Sequence, residues 1–113
     1  MSNFPPIIKP IFSAAVGATK VAVKATPCQV HGWLIVNPQA VEVFLQVFDA
    51  LAANVTVGTT VADYVIPLPA SGGAVLPLNH VGIRHDVGLT VACTTTPTGS
   101  GAVTGADVLM FVR

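Results

Sequence analysis

Ionic side chains are scarce in this sequence. Only 9% of its 113 residues are charged, whereas an ordinary soluble domain has about 25%. Five basic side chains balance five acidic ones, so the formal net charge is zero. This balance provides no basic footprint, and we therefore expect no direct nucleic-acid binding. Because net charge also keeps copies of a protein apart, little electrostatic repulsion opposes self-association here.

Long hydrophobic runs are also missing. A membrane-spanning helix needs about 20 consecutive apolar residues, and Pro, Gly, Asn, Gln, Asp or Lys interrupts every apolar stretch of this chain, so we expect no membrane partner. The opening residues 1–6 lack a basic segment followed by an apolar one, so no signal peptide is expected. Outside a secretory route, Cys28 and Cys93 are predicted to be reduced thiols packed in a core rather than a disulfide.

Apolar residues, in contrast, make up 52% of the chain. A chain of this length is one domain with one core, and it keeps a large surface. With so few ionic residues, that surface must include apolar side chains, and extensive exposed apolar surface marks an interaction site. We therefore expect much of the surface to be covered by copies of the chain or by partner proteins.

The sequence contains no recognised catalytic or cofactor motif. The serines in the glycine-rich turns at Ser71 and Ser100 lack a nucleophile-elbow pattern. His80 and His85 stand near Asp86, yet their spacing matches no zinc pattern. We expect a protein that is not an enzyme and that has no cofactor and no metal site.

Alternation of apolar and polar residues with a period of two, rich in β-branched side chains, predicts strands from residue 19 onward. The predicted strands are 19–26, 28–37, 40–49, 62–68, 73–78, 81–84, 87–95 and 106–113. Residues 46–53 could instead form a short helical turn. Short strands separated by turn residues predict an all-β fold, a single jelly-roll-like β-sandwich of about eight short antiparallel strands.

The first residues are predicted to lie apart from this sandwich. Residues 1–12 contain three prolines among large apolar side chains, which favours an extended arm over a helix. We expect an extended apolar N-terminal arm over residues 1–18 and the sandwich domain over 19–113. Two positions are open for the arm: across its own domain or on a neighbouring subunit.

Strand alternation also predicts which side chains share a face. In the strand 28–37, Val30, Gly32 and Leu34 should lie opposite His31, Trp33 and Ile35. In 40–49 and 106–113, one face is aliphatic and the other carries aromatic side chains, which suits an outer face covered by a partner. The predicted interface residues are Phe4, Pro5, Pro6, Ile7, Ile8, Ile11, Phe12, Trp33, Phe44, Phe48 and Phe111.

A longer pattern resembles a known class of proteins. It runs from Val-His-Gly-Trp-Leu-Ile-Val-Asn-Pro (30–38) through Val-Phe-Leu-Gln-Val-Phe-Asp (43–49) and Val-Ile-Pro-Leu-Pro-Ala-Ser-Gly-Gly (65–73). It continues in Gly-Leu-Thr-Val-Ala-Cys-Thr-Thr-Thr (88–96) and Ala-Asp-Val (106–108). This order resembles small β-sandwich virion proteins of tailed bacteriophages, particularly capsid decoration (cement) proteins.

The resemblance implies a virion location after assembly in the host cytoplasm. It also implies a homo-oligomer, often a trimer, that sits on the major capsid protein and stabilises the shell by bridging neighbouring subunits. Two alternatives stay open. The chain could be a structural protein of the tail, baseplate or a fibre attachment, or a carbohydrate-binding receptor module. The carbohydrate module ranks lower, because sugar sites use exposed aromatic side chains and Trp33 and Tyr64 are the only Trp and Tyr.

Overall fold

The structure, a computed structural model, describes residues 7–79 and 81–113. Their regular structure consists of strands and one 3-10 helix, Ala52–Asn54, with no α-helix among them. The strands are β1 (Lys9–Val16), β2 (Val21–Lys24), β3 (Cys28–Val36), β4 (Val43–Phe48), β5 (Tyr64–Leu68), β6 (Gly73–Leu76), β7 (Ile83–His85), β8 (Leu89–Thr94) and β9 (Ala106–Val112).

These strands form two antiparallel sheets. The first sheet has the order β1-β9-β3-β6, and β7 pairs with β3 beyond the end of β6. The second sheet has the order β2-β8-β4-β5. Side chains of both sheets share one hydrophobic core, so the prediction of an all-β sandwich is confirmed.

Alternation along the strands builds this core. In β9, Val108, Met110 and Val112 are buried while Leu109 and Phe111 between them are partly exposed. In β4, Val43, Leu45 and Val47 are fully buried and face the first sheet's core residues. The two thiols, Cys28 and Cys93, are free and buried in the same core, as predicted.

The N-terminal segment differs from the prediction. Residues 9–16 form β1, an edge strand of the first sheet that pairs in register with β9 from Lys9↔Val112 to Ser13↔Val108. Pro10 is compatible with this place because an edge strand tolerates a residue without an N–H. The boundary predicted at residue 18 is therefore wrong for β1, which belongs to the sandwich, while residues 1–6 lie outside the described residues.

A bulge in β3 changes which side chains face the core. Val30 pairs with Val112 but Gly32 pairs with Phe111, so the register shifts at His31. A bulge inserts one residue and reverses the alternation that follows it. Trp33 and Ile35 consequently point inward, and Leu34 points outward. The face assignment predicted for this strand is correct up to Val30 and wrong beyond it.

Candidate interaction surface

The outer face of the second sheet is covered by the chain's own loops. Phe48 is fully buried in a small second cluster with Val55 and Ala92, which the segment 50–62 closes. Gln46, also on this face, donates from Nε2 to Thr94 Oγ1 at 2.8 Å and to the Gly99 carbonyl at 2.9 Å. These contacts hold two loops over the sheet and leave little of it for a partner.

This cover corrects one of the predicted interface residues. Phe48 has no exposed surface, so it contributes to the fold of the single chain rather than to a contact with a partner. Phe44, on the same face, is half-buried and lies in register between Thr94 and Pro67. Strand alternation correctly predicts that Phe48 lies on the outer face of the second sheet. It does not predict that the segment 50–62 covers Phe48 there.

The outer face of the first sheet is different, because apolar side chains remain exposed across it. Phe12 pairs with Leu109, Leu109 with Leu34, and Leu34 with Val75. Side chains at directly opposed positions lie on the same face of a sheet, so these four form one continuous row across four strands, here called the apolar row. Phe12, Leu34 and Val75 are 61%, 45% and 66% exposed.

A second line of apolar groups runs beside the apolar row. Pro10 pairs with Phe111, and Phe111 pairs with Gly32. The chain crosses directly above Gly32, since a Cβ built there would lie 2.7 Å from the Leu76 carbonyl oxygen and 3.1 Å from Leu78 Cα. Glycine is therefore required at this position, and Leu78, 56% exposed, extends the apolar face.

Among residues 7–79 and 81–113, the charged groups of this outer face lie at its two ends. At one end is Asp107, whose Oδ1 accepts the Ala15 N–H at 3.0 Å. At the other end, Arg113 and Gln29 exchange two backbone hydrogen bonds, which continues the alternation of β9 and turns the Arg113 side chain outward. Arg84 is in register with Gln29 and forms an exposed ion pair with Asp86.

The structure separates the remaining predicted interface residues. Ile7 is 68% exposed, Ile8 is half-buried, and Phe111 lies half-buried on the outer face of the first sheet. Ile11 and Trp33 instead pack against the core, so the outer-face placement of Trp33 and the assignment of Ile11 to an interface of the arm are corrected. Phe4, Pro5 and Pro6 lie outside the described residues.

Four exposed Leu and Val residues of the outer face were not among the predicted interface residues. They are Leu34, Val36, Val75 and Leu78. Leu34 and Val36 were missed because the bulge at His31 reverses their direction. Gly32 was the available signal, since a glycine inside a strand often marks a bulge or a close backbone approach. Val75 and Leu78 lie in a short predicted strand that contains a proline. The sequence does not show which face of such a strand is covered by the rest of the chain.

A buried polar chain crosses the sandwich away from this surface. His85 Nδ1 donates to the Gly88 carbonyl at 2.8 Å, which leaves Nε2 to accept the Tyr64 hydroxyl at 2.9 Å. Burial, together with the nearby Cys28, Asp63 and Asp49, raises the pKa of Tyr64, so the hydroxyl stays a donor. The Tyr64 ring stacks on Trp33 with 6.4 Å between centroids, and these two aromatics are thus used inside the fold.

Asp49 organises the turn next to His85. Burial alone would raise its pKa, but backbone N–H donors of residues 86–88 and the neighbouring His85 hold the pKa of this carboxyl below its usual value. Burial raises the pKa of the Cys28 thiol, and raises that of Cys93 to about 11. The thiols are therefore protonated near neutral pH and lack the thiolate that nucleophilic chemistry requires.

His31 is also engaged within the fold. It is 1% exposed, and its Nδ1 donates to the Asn79 carbonyl at 2.9 Å. Among residues 7–79 and 81–113, no three His, Cys, Asp or Glu side chains come together as metal ligands would. His80 lies outside that part of the chain. No helix within the described residues has the length and apolarity needed to cross a bilayer.

Comparisons with models of known protein families, with curated proteins and with solved structures found no match to this chain.

Proposed function

We propose that this protein is a structural subunit of a bacteriophage virion, a capsid decoration protein that oligomerises and bridges major capsid subunits. One observation carries the assembly part of this proposal: the chain's own loops cover one outer face of the sandwich, while the other keeps the apolar row uncovered. The virion part rests on the resemblance in the sequence and on the strand order.

The strand order supports a jelly-roll interpretation of the sandwich. Two four-stranded paths, β1-β9-β3-β6 and β2-β8-β4-β5, place the first and last strands side by side, with β7 continuing β6 along β3. A jelly roll is built from two such four-stranded Greek-key sheets, and viral capsid and lectin domains use it. Because one fold serves many functions, this likeness supports a virion role only together with the exposed face.

Two of the four sheet edges favour contact through the face rather than through added strands. These edges are β1 and β5, and each contains a proline, Pro10 and Pro67. The opposite edges, β6 and β2, contain none. Proline on an edge strand blocks pairing with another chain. Strand addition is therefore disfavoured at these two edges, where a neighbouring subunit is expected to pack on the side chains of the outer face.

The size of that face indicates how attachment becomes stable. Four strands about 4.8 Å apart and six residue steps of about 3.4 Å give a face of about 20 Å by 20 Å. A standard stable interface buries about 800 Å² on each partner, which is more than this face supplies alone. On a symmetric shell, contacts of this face with a neighbouring copy act together with contacts to capsid subunits, and their sum gives tight attachment through avidity.

Attachment to shells tests the proposal. Shells stripped of this protein are incubated with the wild-type chain, with Leu34→Lys, or with the control Val61→Lys, and bound protein is measured after sedimentation. Leu34 lies in the centre of the apolar row, whereas Val61 is 86% exposed in the loop between β4 and β5. We expect Leu34→Lys to lower occupancy at least about tenfold, because a buried unpaired charge is costly, and Val61→Lys to bind as the wild type does.

Gold-labelled antibody on purified virions locates the protein in the particle. Label over the head supports the decoration role. Label at the tail or baseplate would move the protein to the alternative structural role, and no label on any particle would contradict the virion assignment.

A further inference from the structure

We infer that the outer face of the first sheet binds the same face of a second copy of this chain, with the two β9 strands antiparallel across a two-fold axis. This inference deepens the proposed function, on which it rests for the claim that the face is covered, and it names the partner on that face.

The outward residues of β9 carry the inference. They are Asp107, Leu109 and Phe111, and Arg113 continues the series one residue beyond the end of β9. The series reads acid, apolar, apolar, base. When the order is reversed, each charge meets its opposite and each apolar group meets an apolar group. A sequence with this property is complementary to itself in the antiparallel direction.

Two symmetric arrangements stack the same face of two copies with their strands aligned, and charge selects one of them. With the two-fold axis along the strands, Asp107 would lie over Asp107 of the second copy and Arg113 over its equivalent. With the axis in the sheet plane and perpendicular to the strands, Asp107 lies over Arg113 of the second copy. Like charges held together at an interface are costly, so the perpendicular axis is favoured.

The same axis also matches the apolar groups. It crosses β9 at the level of Met110, so Leu109 lies over Phe111 of the second copy. Because a perpendicular axis keeps the lateral order of the strands, β1 lies over β1, and Phe12 lies over Pro10, the register partners of Leu109 and Phe111. An isologous contact of this kind uses each residue of the patch twice.

The basic end of the face also includes Arg84. Arg84 lies next to Arg113 through its register with Gln29, so the basic end carries two guanidinium groups, one of which is already paired with Asp86. The apolar centre contains no charged side chain at its paired positions. A small face of this type gives a weak pair, and we expect a dissociation constant of about 10 µM.

The mass of the wild-type chain in solution is the first test. Sedimentation equilibrium over about 1 to about 300 µM chain should show a change from one chain mass to two. Leu34→Lys should stay at one chain mass across that range, and the control Val61→Lys should pair as the wild type does. A single-chain mass at every concentration, or the three-chain mass that the resemblance implies, overturns the inference.

Charge exchange tests the orientation. Asp107→Lys and Arg113→Glu should each raise the dissociation constant about tenfold, because each places like charges at both ends of the pair. The double variant should return to within about threefold of the wild type. If the two-fold axis lay along the strands, each single variant would only replace one like-charge contact by another. Unchanged dissociation constants of the single variants would therefore contradict the antiparallel pair.

Folding is controlled separately, since Asp107 also accepts the Ala15 N–H. Melting curves of each variant are measured at a concentration where the chain is single. If both single variants pair more weakly with unchanged melting, the effect lies at the interface. If the wild-type chain stays single at every concentration and Leu34→Lys still loses shell attachment, the pair is refuted and the proposed function is kept. If the wild-type chain pairs but is absent from every virion, the proposed function is refuted and the pair is kept.

Discussion

Phe48 and Phe12 are the same residue type in two different environments, and truncating each to alanine separates fold from interface. Phe48 has no exposed surface and packs against Val55 and Ala92, whereas Phe12 is 61% exposed on the outer face of the first sheet. Phe→Ala in a packed interior costs about 3–5 kcal/mol. Because segment 50–62 can partly collapse into the cavity, we expect about 3 kcal/mol for Phe48→Ala and less than about 1 kcal/mol for Phe12→Ala.

Urea unfolding followed by circular dichroism measures both values. The chain is kept dilute, so that association contributes nothing to the free energy of unfolding. A loss of about 3 kcal/mol is a large part of the 5–15 kcal/mol typical of a domain, so the shift of the midpoint should be plain. A loss below about 1 kcal/mol for Phe48→Ala, or equal losses for the two variants, would refute the assignment of Phe48 to the core.

Three further predictions concern the buried polar groups. Asp49 has a lowered pKa in the fold. Its contribution to stability is therefore present above the ordinary carboxyl pKa of about 3.9 and is lost as pH falls through the lowered value. Asp49→Asn should reduce the pH dependence of the unfolding free energy measured between about pH 6 and about pH 2. Tyr64→Phe leaves the buried His85 Nε2 without its donor and should cost about 1–3 kcal/mol in urea unfolding, with a cost near zero speaking against the bond. Cys28 and Cys93 should react with a thiol reagent only after denaturant is added, since burial raises the pKa of both; rapid labelling of the native chain would contradict their burial.

Most strands follow directly from local patterning. The predicted strand 28–37 is observed as Cys28–Val36, and the predicted strand 106–113 as Ala106–Val112. The alternation of β9 also gave the correct inward and outward sides. Period-two patterning and turn residues act over a few positions, so one sequence contains enough information to place such elements.

The features that decide the candidate surface act over longer distances. The bulge at His31 comes from the pairing of β3 with β9, and segment 50–62 covers Phe48 only because β4 lies beneath it. Strand β1 was not predicted, because Pro10 argues against a strand. A proline excludes a central strand, but it is compatible with an edge strand such as β1. Pairing partners and covering loops are properties of the whole fold, and so Leu34 and Val75 became visible as surface residues only in the structure.

Covalent footprinting of the apolar row tests the central claim most directly. A photogenerated carbene labels exposed side chains, and mass spectrometry locates the label at Leu34 and Val75 in dilute chain, in concentrated chain and on assembled particles. We predict that both positions are labelled in dilute chain and become protected on assembly, while Val61, 86% exposed in its loop, is labelled as strongly in concentrated chain as in dilute chain. Equal labelling of Leu34 and Val75 in all three samples would contradict the claim that a neighbouring subunit covers this face.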